Sequence, residues 1–211
     1  MVLKTFIDLI LHLDKYLGAV IQTYGLITYF ILFTVIFLET GLVVTPFLPG
    51  DSLIFAAGTF AAIGSLNIAV LYVVLAIAAI LGDTVNYHIG KKIGYMIYEQ
   101  ENVKFIKKEY LLEARNFYEK YGAMTIVLAR FIPIIRTFAP FVAGIGEMRY
   151  LRFLSYNMIG GISWTALFAF GGYYFGNLKF VKENFSFVLV AIILISLLPA
   201  IISVLKHKAK T

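Results

Sequence analysis

With 211 residues, 61% of them hydrophobic and only 14% charged, and a mean hydropathy of +0.87, the chain lies outside the soluble range, in which charged residues alone make up about 25%. It has no cysteine, which excludes a disulfide framework, a zinc–thiolate site and a thiol nucleophile. The net charge of +6 is concentrated in seven basic residues between Lys91 and Lys120 and in Lys206, Lys208 and Lys210. Basic residues flanking apolar spans mark the cytoplasmic side of a membrane, and without a soluble basic domain nucleic acid is not an expected partner. The composition predicts an all-α polytopic membrane protein.

Residues 1–17 mix Phe6, Ile7, Leu9 and Leu13 with Lys4, Asp8, Asp14 and Lys15. Those charges break the apolar core a signal peptide needs, so the segment reads as an amphipathic helix lying in the interface. Residues 18–205 form a single transmembrane domain in this reading. Val20–Leu38 is an uncharged run of about 30 Å as a helix, enough for a first span, which Glu39 ends. Pro46, Pro49 and the turn Pro49-Gly50-Asp51 then forbid one continuous helix. The flanking pieces are too short to span, and 39–64 is expected to be a re-entrant hairpin. A second span begins at Asn67 and runs through Asp83, Tyr87, His88 and Gly90 to Lys91-Lys92.

Residues 99–120 are soluble in character, with five acidic and five basic side chains, and predict an amphipathic surface helix. Next comes a run holding Arg130, Pro133, Arg136 and Pro140 among apolar residues. An arginine at the centre of a membrane helix costs about 2.5–3.5 kcal/mol on insertion scales, and Pro133 and Pro140 are both expected to break the helix, Pro133 by removing a backbone hydrogen bond between the two arginines. Such irregular backbone survives at membrane depth only when packed in protein or lining a wet cavity. Residues 121–147 therefore read as a second re-entrant hairpin that brings both arginines to one place. Met148–Phe175 is a third span, 185–205 a fourth, and 206–211 a basic tail. With both hairpins re-entrant, the two termini and 91–120 fall on the cytoplasmic side. The hairpins then enter from opposite sides, with Ala57-Gly58 and Ala143-Gly144 at matching places. Transporters built from inverted repeats place their substrate site where such broken helices meet.

Several motifs in this order resemble the DedA family, whose core is called the VTT (SNARE-associated-type) domain. They are Glu39 with Pro46-x-x-Pro49-Gly50-Asp51, Gly82-Asp83 with Tyr87 and Gly90, and Arg130-Phe-Ile-Pro133-x-x-Arg136-Thr with Ala143-Gly144. Tyr150-x-x-Phe153, Asn157-x-x-Gly160 and Trp164 continue the match, which covers roughly residues 35–176. The resemblance implies two membrane-embedded hairpins and lipid transport. In bacterial members it implies recycling of undecaprenyl phosphate across the cytoplasmic membrane, with proton coupling proposed; other members move or scramble phospholipids such as phosphatidylethanolamine. It also implies an essential acidic pair, here Glu39 and Asp51, and an arginine pair, here Arg130 and Arg136.

The residues themselves leave two readings open. Guanidinium offers a planar fork of donors suited to phosphate, so Arg130 and Arg136 are candidates for a lipid-phosphate clamp; in the plainer reading they neutralise buried carboxylates. Glu39 and Asp51 are candidate proton carriers, since burial disfavours the charged carboxylate and a nearby arginine favours it. Their plainer readings are an interfacial helix end for Glu39 and a helix N-cap for Asp51. Asp83, inside a span with Tyr87 one turn later, is either functional or an arginine's partner. His88 reads as structural, because no second metal ligand accompanies it, and Arg149 and Arg152 read as headgroup anchors. Trp164 and the other aromatics are expected to pack or anchor, with no site role.

No cofactor or metal is expected. The resemblance implies transport of an anionic lipid with protons as co-substrate, and an enzyme acting on lipid phosphates lacks an evident nucleophile with a base. A scramblase, a membrane enzyme and a structural assembly factor remain the alternatives, and homo-oligomerisation stays open.

Overall fold

A computed structural model describes residues 13–42, 50–99, 118, 121–184, 187, 188 and 191. Pro46, Pro49, the 99–120 surface helix apart from Glu99 and Tyr118, the fourth span apart from three residues, the basic tail and most of the 1–17 segment lie outside the described residues. Within them the chain forms eight helices: α1 (Leu13–Tyr24), α2 (Ile27–Gly41), α3 (Gly50–Ala62), α4 (Ile68–Glu99), α5 (Met124–Ala129), α6 (Pro133–Ile145), α7 (Tyr150–Phe175) and α8 (Lys179–Glu183). Two are long and apolar enough to cross a membrane, over Ile68–Gly94 and Tyr150–Phe175; Ile27–Gly41 and Ile135–Ile145 are shorter apolar segments.

Local sequence explains the boundaries. The expected single span Val20–Leu38 is divided, because Gly25 takes a left-handed φ of +52° and its N–H closes α1 on the Ile21 carbonyl. Glu39 does not end the next helix at an interface: α2 runs on to Gly41, and Glu39 is fully buried in its last turn. Asn67 caps α4, its Oδ1 accepting from the N–H groups of Ala69 (2.9 Å) and Val70 (3.2 Å). Pro133 stands at the start of α6, where its missing N–H costs nothing. Pro140, expected to break the chain, is instead carried inside α6. The helix survives the lost bond because α4 holds it on both sides of the proline, through Asn86 on Thr137 and Gly90 on Phe141.

Helix directions follow from the contacts. Asn86 meets Thr137, Gly90 meets Phe141 and Gly94 meets Ile145, so α4 and α6 run parallel. Asp51 meets Trp164 and Thr59 meets Gly176, so α3 and α7 also run parallel. Tyr72 against Phe170, Ile80 against Gly161 and Tyr87 against Phe153 make α4 and α7 antiparallel. The short helix of each half thus packs on the long helix of the other half, and α3 and α6 point in opposite directions.

These two seams are built from glycine. A Cβ at Gly58 would stand 2.2 Å from the Ala169 carbonyl oxygen, and one at Gly172 would stand 2.0 Å from that of Phe55. In the other seam the same holds for Gly90 against Phe141 (2.2 Å) and Gly144 against Tyr87 (2.1 Å). Small residues let backbones approach where lipid gives no hydrophobic drive for association. An apolar core of Ile36, Ile54, Leu71, Leu75 and Ala169 fills the space between α2, α3, α4 and α7.

Candidate functional site

Where the first turns of α3 and α6 approach one another, the fold buries charge. Arg136, in the first turns of α6, donates from Nη1 to Asp51 Oδ1 and from Nη2 to Glu39 Oε1, both at 2.6 Å. Asp51 opens α3 and Glu39 closes α2, so one guanidinium from the second half joins two carboxylates from the first. The three side chains are 2%, 9% and 0% exposed respectively. The indole of Trp164 on α7 completes the group: its Nε1–H donates to Asp51 Oδ1 at 2.9 Å, and its ring lies 4.7 Å from the Arg136 guanidinium carbon.

A second cluster adjoins it. Arg130, in the turn that ends α5, donates from Nη2 to Asp83 Oδ2 and to Asn157 Oδ1, each at 2.5 Å, and to the Ala79 carbonyl at 3.3 Å. Gly160 and Gly161 of α7 make room for this guanidinium: a Cβ at Gly160 would come within 2.9 Å of Arg130 Cδ. The clusters are near enough for Asp83 to interact with both arginines. Asn86, one turn after Asp83, ties the surrounding helices together by donating to the carbonyls of Thr40 (3.2 Å) and Thr137 (2.8 Å).

The expected site residues therefore do converge, with a division of partners absent from the sequence reading. Arg130 and Arg136 do not share one partner; each holds its own carboxylate set. Three carboxylates face two guanidiniums. Several donors and acceptors in these clusters have no protein partner, namely Glu39 Oε2, Asp83 Oδ1, Arg130 Nε and Nη1, and Arg136 Nε. The guanidinium N–H groups so placed are ready to donate to water or to the oxygens of an anion, and the carboxylate oxygens to accept from water.

Gly50, read as a turn residue, instead begins α3 against Glu39, where a Cβ would fall 1.9 Å from Oε2. Tyr87 is buried and its hydroxyl donates to the Met148 carbonyl, holding the start of α7 to α4. His88 is exposed and hydrogen-bonds through Nδ1 to its own helix at the Thr84 carbonyl (2.7 Å). Arg149 and Arg152 are exposed at the start of α7, away from both clusters. Among the described residues no group of three or more His, Cys, Asp or Glu is arranged to hold a metal ion.

Trp164 was expected only to pack, and that reading is too narrow. It is fully buried, but its polar edge and its ring face both serve the charged group. Asn157 and Asn86 were likewise not singled out as site residues. A signal was present: Asn157, Gly160, Gly161 and Trp164 recur at helical spacing in one apolar span, which puts them on one face.

The VTT domain matches residues 48–174, more than half of the chain. Protein DedA of Escherichia coli strain K12 is 49% identical over 204 residues, which cover 96% of this chain and 93% of the relative. The chain belongs to the DedA family of VTT-domain membrane proteins. Uncharacterized membrane protein Rv0364 of Mycobacterium tuberculosis strain H37Rv is 44% identical over 80% of the chain and 75% of its own length. Inner membrane protein YqjA of Escherichia coli strain K12 is 33% identical over 71% and 68%. No solved structure matches the chain significantly. The matched stretch contains Asp51, Asp83, Arg130, Arg136, Asn157 and Trp164; Glu39 lies just before the VTT domain but within the much longer likeness to Protein DedA.

Proposed function

We propose that this DedA-family protein is a membrane transporter of an anionic lipid phosphate, with undecaprenyl phosphate as the substrate and protons as the coupling ion. The observation that carries the proposal is Arg136, buried between Glu39 and Asp51 where two oppositely directed short helices meet. In this reading residues 39–64 and 121–147 form re-entrant hairpins entering from opposite sides, and both termini are cytoplasmic. The prenyl chain stays in lipid while the phosphate enters between the hairpin tips.

A phosphate competes with carboxylates for the same guanidiniums, through charge-assisted bonds of the same kind. A carboxylate that takes up a proton releases its hold on arginine, so anion binding and proton binding each make the other more favourable. Because the carboxylates and Arg136 come from different halves, exchanging one partner for another changes what holds the halves together. That supplies the difference in affinity between states which a transport cycle requires.

A phospholipid scramblase would use the same residues without needing a gradient. Reconstituted protein should move a fluorescent polyprenyl phosphate faster under an imposed pH gradient than without one, and should move a phosphatidylethanolamine analogue little. Equal, gradient-independent movement of both lipids would establish the scramblase instead. Movement of neither would leave the charged clusters as structural ties of an assembly factor.

A further inference from the structure

We infer that Asn86 is a positioning residue for the Arg136 group: its buried carboxamide holds the backbone beside Glu39 and the backbone beside Arg136, and so sets how firmly that carboxylate competes for the guanidinium. The purpose assigned to the tie rests on the transport function proposed above; the tie itself is a matter of geometry.

Along α4, Gly82, Asn86, Gly90 and Gly94 recur at every fourth position and so form one stripe. The glycines admit neighbouring helices. Gly82 lies against α2, where a Cβ would meet Thr40 Oγ1 at 1.9 Å, and Gly90 lies against α6, where one would meet the Phe141 carbonyl oxygen at 2.2 Å. Asn86 stands where the stripe passes from α2 to α6, and its side chain bonds to both. It is fully buried, and its Nδ2 donates to the Thr40 carbonyl at 3.2 Å and to the Thr137 carbonyl at 2.8 Å. Two carbonyls can only accept, which fixes the orientation of the amide: nitrogen faces them and Oδ1 faces away. A primary amide suits this place because it offers two N–H hydrogens from one neutral atom. A carboxylate there would repel both carbonyls, and a hydroxyl would satisfy only one of them.

The register gives the tie its consequence. Thr40 follows Glu39 and Thr137 follows Arg136, and those two side chains are themselves joined at 2.6 Å. The contacts therefore close on themselves, from Asn86 through the Thr40 carbonyl to Glu39, across to Arg136, and back through the Thr137 carbonyl. Each arm is held where its helix is weak. Thr40 lies in the last turn of α2, where carbonyls lack an intrahelical donor. In α6 the bond lost at Pro140 is the one its N–H would have made to the Arg136 carbonyl, beside the Thr137 carbonyl that Asn86 holds. Asn86 Oδ1, by contrast, is wholly buried with no partner among the described residues. Burying an acceptor in that way costs stability that an apolar side chain of similar shape avoids. What the amide contributes is thus the tie rather than favourable burial. Without it, Glu39 and Arg136 are held together less firmly. A lipid phosphate then meets a weaker competitor, so it binds more readily and is expelled more slowly.

The first test needs no substrate. Thermal unfolding of the full-length protein in lipid nanodiscs would be compared for wild type, Asn86→Leu, Glu39→Gln and the double variant. If Asn86 positions the pair, the two effects are coupled, and the loss of midpoint caused by Asn86→Leu should be clearly smaller once Glu39 is neutral. Equal losses in both backgrounds would overturn the positioning role, because bonds to two backbone carbonyls alone do not depend on the charge of Glu39. The second test is translocation of a fluorescent polyprenyl phosphate by folded Asn86→Leu in liposomes. The maximal rate should fall about tenfold or more, as for other small displacements of a reacting group, and the half-saturating lipid fraction should fall with it. A lower maximal rate at unchanged half-saturation signifies only fewer competent molecules and would overturn the inference. Coupled stabilities in a wild-type protein that moves no lipid would instead overturn the transport function and leave the tie standing. Should Asn86→Leu fail to fold, Asn86→Ser, which is smaller and keeps one donor, takes its place in both comparisons.

Discussion

Arg136→Ala is expected to abolish lipid translocation and to destabilise the protein by about 3–5 kcal/mol, the usual consequence of leaving buried charge without its partner. Arg136 is the common partner of Glu39 and Asp51 and brings positive charge to both from the second half. Thermal unfolding in lipid nanodiscs measures the loss of stability. Adding Glu39→Gln and Asp51→Asn to Arg136→Ala removes the stranded charges and should restore much of the stability. Translocation should stay absent in the triple variant, because the phosphate receptor is gone. Recovery of transport along with stability would mean that Arg136 serves the fold only. Arg136→Lys separates charge from geometry: an ammonium cannot present two parallel donors, so stability should fall less than in the alanine variant while transport remains strongly impaired.

Gly172→Ala is the second large effect. The added methyl would stand 2.0 Å from the Phe55 carbonyl oxygen and 2.8 Å from its carbon, so α3 itself must move. Overpacking of this kind costs about 1–3 kcal/mol, well beyond the gain of about 0.5–1 kcal/mol that alanine brings to a helix. Moving α3 from α7 also separates Asp51 from Trp164, so transport should fall more than stability alone accounts for. The neighbouring Gly171 provides the control, since its nearest contact for an added Cβ is 3.9 Å away at the Phe55 ring. Gly171→Ala should keep transport and hold or slightly raise the unfolding temperature. A Gly172→Ala protein with wild-type transport would show that the close seam between α3 and α7 is dispensable.

The elements that were legible in the sequence are those whose signal is local. Long, mostly apolar runs gave the spans at 68–94 and 150–175, and the arginines and acids stood out because an apolar run has no ordinary use for them. Gly25 escaped notice as a helix breaker because a single glycine in an apolar run is compatible with a continuous helix. Pro140 misled in the other direction. A proline argues for a break, but neighbours such as Asn86 and Gly90 hold α6 through it, and they come from fifty residues earlier in the chain. Trp164 was hidden for a related reason. An aromatic residue in a span is ordinarily packing, and only the approach of α3 shows that its N–H reaches Asp51. The division of partners between the two arginines is likewise a tertiary fact, since Asp51 and Asp83 are both acids within reach in sequence terms and only the helix register assigns them.

The most direct test of the account is the affinity of wild-type protein for a polyprenyl phosphate, measured across neutral and mildly alkaline pH in lipid nanodiscs and compared with Glu39→Gln. Trp164, the single tryptophan, supplies the signal from inside the site. If phosphate and carboxylates compete for the guanidiniums, a rise in pH restores the carboxylate charge and strengthens the competitor. Wild-type affinity should therefore fall as pH rises, and the fall should be much reduced in Glu39→Gln, whose neutral amide cannot regain charge. The ionisation of the phosphate itself is common to both proteins and cancels in the comparison. Parallel pH profiles for the two proteins, or binding that leaves Trp164 emission unchanged while a labelled lipid is retained, would contradict the claim that lipid phosphate takes its place among Glu39, Asp51 and Arg136.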